Sequence, residues 1–189
     1  GIVACRLGGT DGVSLETDAW SRALRGLGHE TWSFTGRAER PIERCTVEPL
    51  AFFGHADVVA ITAALFDTQA LARARQGAER GDAAVVEAVQ AMASRFQRRL
   101  LEFVRRADLQ LLVAENTLAL PVHVPLGLAL ARLSAEHAIP VLAHHHHPGS
   151  SGAVLLIEGP PGQERDLHGL EIPRSHLGIK EGVAIRSRW

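Results

Sequence analysis

Residues Ile2-Val3-Ala4-Cys5 are a short apolar run that meets a glycine cluster, Gly8-Gly9-Thr10-Asp11-Gly12. Beyond it Leu15, Ala19, Trp20, Ala23, Leu24 and Leu27 recur at three- and four-residue spacing, which predicts a helix burying those positions. Asp11 or Ser14 is expected to cap its start, and Gly28 to stop it. Thr31-Trp32-Ser33-Phe34, rich in β-formers, reads as a second strand. The opening is therefore strand, glycine loop, helix, strand: a βαβ unit with parallel strands and a right-handed crossover. A charged, proline-bearing stretch over 35–49 then breaks the pattern, with one short strand near Cys45-Thr46-Val47.

Residues 57–75 have helical composition, interrupted near 77–81, and a longer helix is predicted over about 82–106. Its stripe is Val85, Val86, Val89, Met92, Phe96, Leu100 and Val104, which turns Arg95, Arg98, Arg99, Arg105 and Arg106 outward as a solvated face. Residues 108–114 form a nearly continuous apolar run, as expected of a strand covered on both faces, and end in Glu115-Asn116. A helix over Leu126–His137 leads to a second buried-strand run, Ile139–Ala143, ending in His144-His145-His146-His147. Past Pro148 the chain turns rich in glycine and proline, with Ala153–Ile157 as the one clear strand candidate. The expected division is a domain over 1–147 and a divergent tail over 148–189 that packs on it. Three strand ends thus carry distinctive residues, and in an open α/β sheet ligands collect at the carboxyl ends of the strands, where the winding reverses.

Composition narrows the partners. The chain has 189 residues, 20 Lys plus Arg against 21 Asp plus Glu, and a formal net charge of −1. That gives no positive footprint for nucleic acid or an anionic membrane. No apolar run reaches a membrane-spanning length and no signal segment opens the chain, so a cytosolic protein is expected. Cys5 and Cys45 fit no CxxC pattern and are too few for a disulfide framework. Lys180 is the single lysine, which coding bias explains more simply than a demand for guanidinium contacts. The chain starts at Gly1 inside a strand-like run, so a processed, trimmed or partial chain is expected.

The motifs leave alternatives open. Glycines at Gly8, Gly9 and Gly12 let backbone approach a ligand near a helix start that favours anions, yet a plain turn needs the same residues. The loop fits neither GxGxxG nor the GxxxxGK[ST] phosphate loop. Four consecutive histidines suggest metal, but along a strand at most two share a face, and there is no HExxH and no spaced Cys/His set. One histidine touching a sugar or phosphate, or ordinary strand-end histidines, are the other readings. His123, between Pro121 and Pro125, faces the same crevice or packs a helix entry. Glu115 and Asn116 either address substrate hydroxyls or tie down a turn. No catalytic triad or carboxylate pair is defensible.

Several blocks in order carry a resemblance: Arg6-Leu7-Gly8-Gly9-Thr10-Asp11-Gly12-Val13-Ser14-Leu15-Glu16, Leu27-Gly28-His29-Glu30, Val113-Ala114-Glu115-Asn116-Thr117, Leu120-Pro121-Val122-His123-Val124-Pro125-Leu126-Gly127, and Ile139-Pro140-Val141-Leu142-Ala143-His144-His145-His146. Over about residues 2–147 the chain resembles the N-terminal domain of family-four glycosyltransferases of the GT-B fold. The resemblance implies an α/β, three-layer Rossmann-like domain with a mostly parallel sheet. It implies the acceptor-side half of a retaining nucleotide-sugar-dependent hexosyltransferase, inactive without a C-terminal donor domain. Gly8, Gly9 and Thr10 would approach the donor diphosphate or the acceptor, with Asp11, Glu115, Asn116, His123 and His145 as further substrate contacts. His146 would match the catalytic histidine near the transferred sugar. A nucleotide-sugar would be co-substrate, with no resident cofactor and no metal. A hydroxyl acceptor and the missing donor domain or a partner chain would be the partners, and a homo-oligomer stays open. Where the family continues His-Asp-aromatic this chain has His147-Pro148-Gly149, so the acidic neighbour of His146 is absent. That departure supports the alternative of a non-catalytic α/β module binding a small ligand or another chain.

Overall fold

In the computed structural model the described residues are 1–66, 79–118, 122–147 and 150–157, with 79–82 and 145–157 described by backbone alone. Six strands form one sheet: β1 (Ile2–Leu7), β2 (Ser33–Ala38), β3 (Cys45–Val47), β4 (Leu112–Glu115), β5 (Val141–His147) and β6 (Ser150–Ile157). Their order is β3-β2-β1-β4-β5-β6. The first five run parallel and β6 closes the edge antiparallel to β5. This is an α/β architecture compatible with a Rossmann-like fold. The chain winds from β1 outward to β3, then returns to lay β4 and β5 on the other side of β1. The winding reverses between β1 and β4.

Alternation along the strands divides the apolar runs between two cores. Val3, Cys5, Phe34, Leu112, Ala114 and Val141 pack with α3 (Glu79–Arg106) and α4 (Val124–His137) in the larger core. From α3 this core takes Phe96, Leu100, Phe103 and Val104, and from α4 Leu126, Ala129, Leu130 and Leu133, the spacing of one helical face. Ile2, Val113 and Leu142 point to the opposite side, where Trp20 of α1 (Gly12–Gly26) covers them. Three layers result, with the sheet in the middle.

Helix α1 departs from the expected stripe. It buries Ser14, Thr17, Trp20 and Ser21, while Leu15 is 57% and Leu27 43% exposed. The cap explains the phase. Asp11 accepts from the Ser14 backbone N–H at 3.2 Å and from its hydroxyl at 2.8 Å, and Ser14 Oγ in turn accepts from Gly9 N–H at 3.1 Å. With Ser14 held against the loop, Leu15 must face solvent. At the other end Gly28 N–H and His29 N–H donate back to the carbonyls of Arg25 and Leu24, the paired bonds of a glycine-stopped helix.

Two other expectations change. The arginines of α3 are not merely a solvated face: Arg95 and Arg99 reach Glu48 at 3.2 and 3.1 Å, and the Glu48 side chain is only 8% exposed. This clamp ties the turn after β3, a single 3-10 turn at Pro49–Ala51, to the long helix. The strand expected at Ile139–Ala143 starts at Val141 and runs through His147, so the histidines lie within β5 rather than after it. Beyond Pro148, β6 belongs to the sheet, and residues 158–189 lie outside the described set. Among the described residues one stretch, Pro49–Phe66, has the length and mean hydropathy (1.6) to cross a bilayer, where the sequence reading found none. In the fold it is the 3-10 turn, a non-helical link and α2 (Ala56–Phe66), not one helix.

Candidate functional site

A cavity of about 200 Å³ opens at the carboxyl ends of β1 and β4, on the line where the winding reverses. Cys5 and Arg6 from the end of β1, Asp11 and Val13 from the loop and first turn of α1, and Glu115 and Asn116 from the end of β4 line it. Phe53 and Val122 add apolar wall. Polar and apolar groups therefore share one small cavity.

Each polar side chain is held in place. Arg6 pairs with Asp11 at 3.2 Å and with Glu39 at 3.6 Å, and its guanidinium lies 5.9 Å from the centre of the Phe53 ring. Partial burial alone would raise the Asp11 pKa, but the Ser14 hydrogen bonds and the Arg6 charge outweigh it and hold the carboxyl below its ordinary value. Gly8 has φ +81°, a conformation that lets the chain turn sharply out of β1. Asn116 also adopts a left-handed backbone, φ 56°, and its N–H donates to the His144 carbonyl at 2.9 Å. Asparagine tolerates that region better than most side chains.

Beneath the cavity lies a buried ion pair. Parallel pairing sets Glu115 level with His144, and His144 Nδ1 lies 2.8 Å from Glu115 Oε2. The two side chains are 3% and 0% exposed. The Trp20 ring packs on the imidazole, centroids 5.3 Å apart. Burial pushes the His144 pKa down, but the Glu115 hydrogen bond and charge, with a smaller contribution from Glu16, outweigh it, so the pKa is raised. The hydrogen bond between the imidazole and the carboxylate therefore favours the protonated ring and fixes both side chains at the cavity floor.

Of the residues singled out in the sequence, Asp11, Glu115 and Asn116 come together in the cavity. Gly8, Gly9 and Thr10 form the loop beside it; Thr10 is exposed and none of the three lines the cavity. His123 is not brought there. It is fully buried, its Nε2 is 2.8 Å from the Leu50 carbonyl, and its Nδ1 accepts from Leu126 N–H to cap α4. With Phe96 packed edge-on at 5.2 Å, it holds a helix entry in the core. Burial lowers its pKa, as suits a neutral ring that both donates and accepts. His145 and His146 lie on β5, and their side chains are outside the described set. Among the described residues no group of His, Cys, Asp and Glu is arranged to hold a metal.

Sequence reasoning passed over His144, Arg6 and Phe53. His144 was legible in principle: it is the histidine nearest the apolar run, and a parallel neighbour ending in Glu115 puts the two strand ends level. Arg6 stands in the sequence only as part of the block before the glycine loop, and Phe53 has no pattern to mark it. Comparison with protein-family models, curated proteins and solved structures finds no match.

Proposed function

We propose that this chain is the acceptor-side, Rossmann-like domain of a retaining nucleotide-sugar-dependent glycosyltransferase, and that the cavity between β1 and β4 takes a polyhydroxylated acceptor. The observation that carries this reading is the make-up of that cavity: a guanidinium, two carboxylates and an amide together with the Phe53 ring at the switch point of the sheet. Hydroxyl groups are recognised by such paired donors and acceptors, and the apolar face of a sugar ring stacks on an aromatic side chain. The blocks Arg6–Glu16 and Val113–Thr117, far apart in sequence, both contribute residues to it, which is what the family resemblance leads one to expect.

In this reading Arg6, fixed by Asp11 and Glu39, orients the acceptor, and Glu115 and Asn116 bind its hydroxyls. The Glu115–His144 pair keeps the carboxylate in one rotamer. A separate donor domain supplies the nucleotide-sugar, and the leaving phosphate is stabilised across the cleft.

The test uses the full chain with UDP-, GDP- and ADP-sugars and a panel of hydroxyl acceptors. Alone, it should bind an acceptor saturably without turnover, and Asn116→Ala should weaken that binding about ten-fold. Transfer should appear when a donor-binding domain is supplied. Robust turnover by the chain alone would overturn the half-enzyme claim. Absence of acceptor binding, with a protein partner captured on the same surface, would favour the non-catalytic module.

A further inference from the structure

A second cavity, of about 280 Å³, lies on the other side of β1, between α1 and the segment that follows β2. Its chemistry differs from that of the first. Arg22 and Arg25 project from one face of α1, three residues apart, and Arg40 approaches from the opposite wall. Thr17 and Ser21, on the buried side of the same helix, line it as well.

The charges do not cancel. Three guanidiniums face two carboxylates, Asp18 and Glu43, and Asp18 is already paired with Arg40. Arg22 makes no ion pair or hydrogen bond among the described residues. Arg25 there uses only Nε, which donates to Thr31 Oγ1 at 2.8 Å, so its two terminal amino groups remain available. Two arginines at this spacing repel each other mildly unless an anion lies between them. Thr17 adds an independent sign: its hydroxyl is buried without a hydrogen-bond partner, on a residue that is 4% exposed and borders the cavity. Buried hydroxyls are ordinarily satisfied, so an orphan beside a cluster of guanidiniums marks a place for an acceptor.

We infer that this cavity is an anion site, distinct from the acceptor cavity, that binds the phosphate group of a small phosphate ester. Guanidinium forks from two directions match the several oxygens of a phosphate, and Arg is the residue that makes such paired bonds. Arg22 and Arg25 hold the phosphate from the helix side and Arg40 closes over it, with the Thr17 and Ser21 hydroxyls at the floor. The rest of the ester extends toward solvent past Glu43.

Isothermal titration of the full chain with inorganic phosphate and with phenyl phosphate, against chloride and acetate at matched ionic strength, tests the assignment. Both phosphates should bind saturably with one-to-one stoichiometry, and chloride should not. Arg22→Gln, which breaks no contact among the described residues, should weaken phosphate by about ten-fold. Arg22→Gln with Arg25→Gln should abolish it, and Asn116→Ala should leave it within about two-fold of the parent chain. Absence of saturable phosphate binding would overturn the assignment. So would acetate binding as tightly as phosphate, the double variant binding like the parent, or Asn116→Ala removing the binding.

Discussion

Replacing Glu115 by glutamine separates charge from shape at the floor of the candidate site. The amide keeps the size and one acceptor oxygen but removes the negative charge 2.8 Å from His144 Nδ1, in surroundings where neither side chain meets much water. Breaking a buried pair by removing one partner costs about 3–5 kcal/mol. The retained acceptor places this substitution at the lower end, about 3 kcal/mol. With a urea dependence of about 1–3 kcal/mol per molar, the unfolding midpoint should fall by roughly 1–3 M. The pH dependence is the sharper readout. In the parent chain the His144 pKa is raised, so its stabilising contribution is complete below about 6.5 and is lost as the pH rises through the folded value. In Glu115→Gln only the smaller Glu16 charge still opposes burial, the pKa drops, and the stabilisation at low pH is lost. The gap between the two proteins should therefore be widest in mild acid and narrow as the pH rises through the folded value. Urea titrations followed by circular dichroism across that range decide the matter. A gap that stays constant with pH would show that His144 does not titrate against Glu115.

Gly36→Ala should be severely destabilising, because a Cβ there would lie 1.8 Å from the Phe52 nitrogen and 2.2 Å from the Ala51 carbonyl carbon; a loss of about 3 kcal/mol or more, seen as a collapse in Tm, is expected, and an unchanged Tm would refute the close packing of this turn on β2. Ala138→Gly should stabilise by about 0.5–1 kcal/mol, since Ala138 ends α4 at φ 51° and ψ 36°, and a lower Tm would count against that geometry. Burial pushes the Cys5 thiol up to about 12 and also raises half-buried Cys45, so at neutral pH a thiol reagent should label Cys45 slowly and Cys5 only after unfolding; rapid labelling of both would contradict the burial of β1.

Much of the fold was legible because strands buried on both faces leave continuous apolar runs. The runs ending at Ala114 and Ala143 each identified a strand, and Cys45–Val47 emerged where expected. Helix α1 was legible in extent but not in orientation. Its stripe of larger apolar residues pointed one way, while the Asp11–Ser14 cap set the phase and turned serine and threonine inward. A cap is a local hydrogen bond that a hydrophobic pattern does not register. The cavity lining was legible at the end of β4, as with Glu115 and Asn116, and at the cap of α1, as with Asp11. The pairing of His144 with Glu115 needed one further step, placing the two apolar strands side by side in parallel so that their ends are level, 29 residues apart in sequence. His123 shows the converse: of its two readings in the sequence, crevice or helix entry, the second holds, because both of its nitrogens find backbone partners in the core.

The clamp on Glu48 gives the chain's arginine bias a mechanical meaning. Two side chains from successive turns of α3 grip one carboxylate, and Arg99 also reaches Glu102 at 2.9 Å. Arg6 likewise spans two acids from different segments. Each fastens elements distant in sequence, and an ammonium, which has three donors but no rigid planar fork, would hold the same acids with less geometric definition. A lysine-substituted chain of the same charge would keep its cores but join the turn after β3 to the long helix less rigidly.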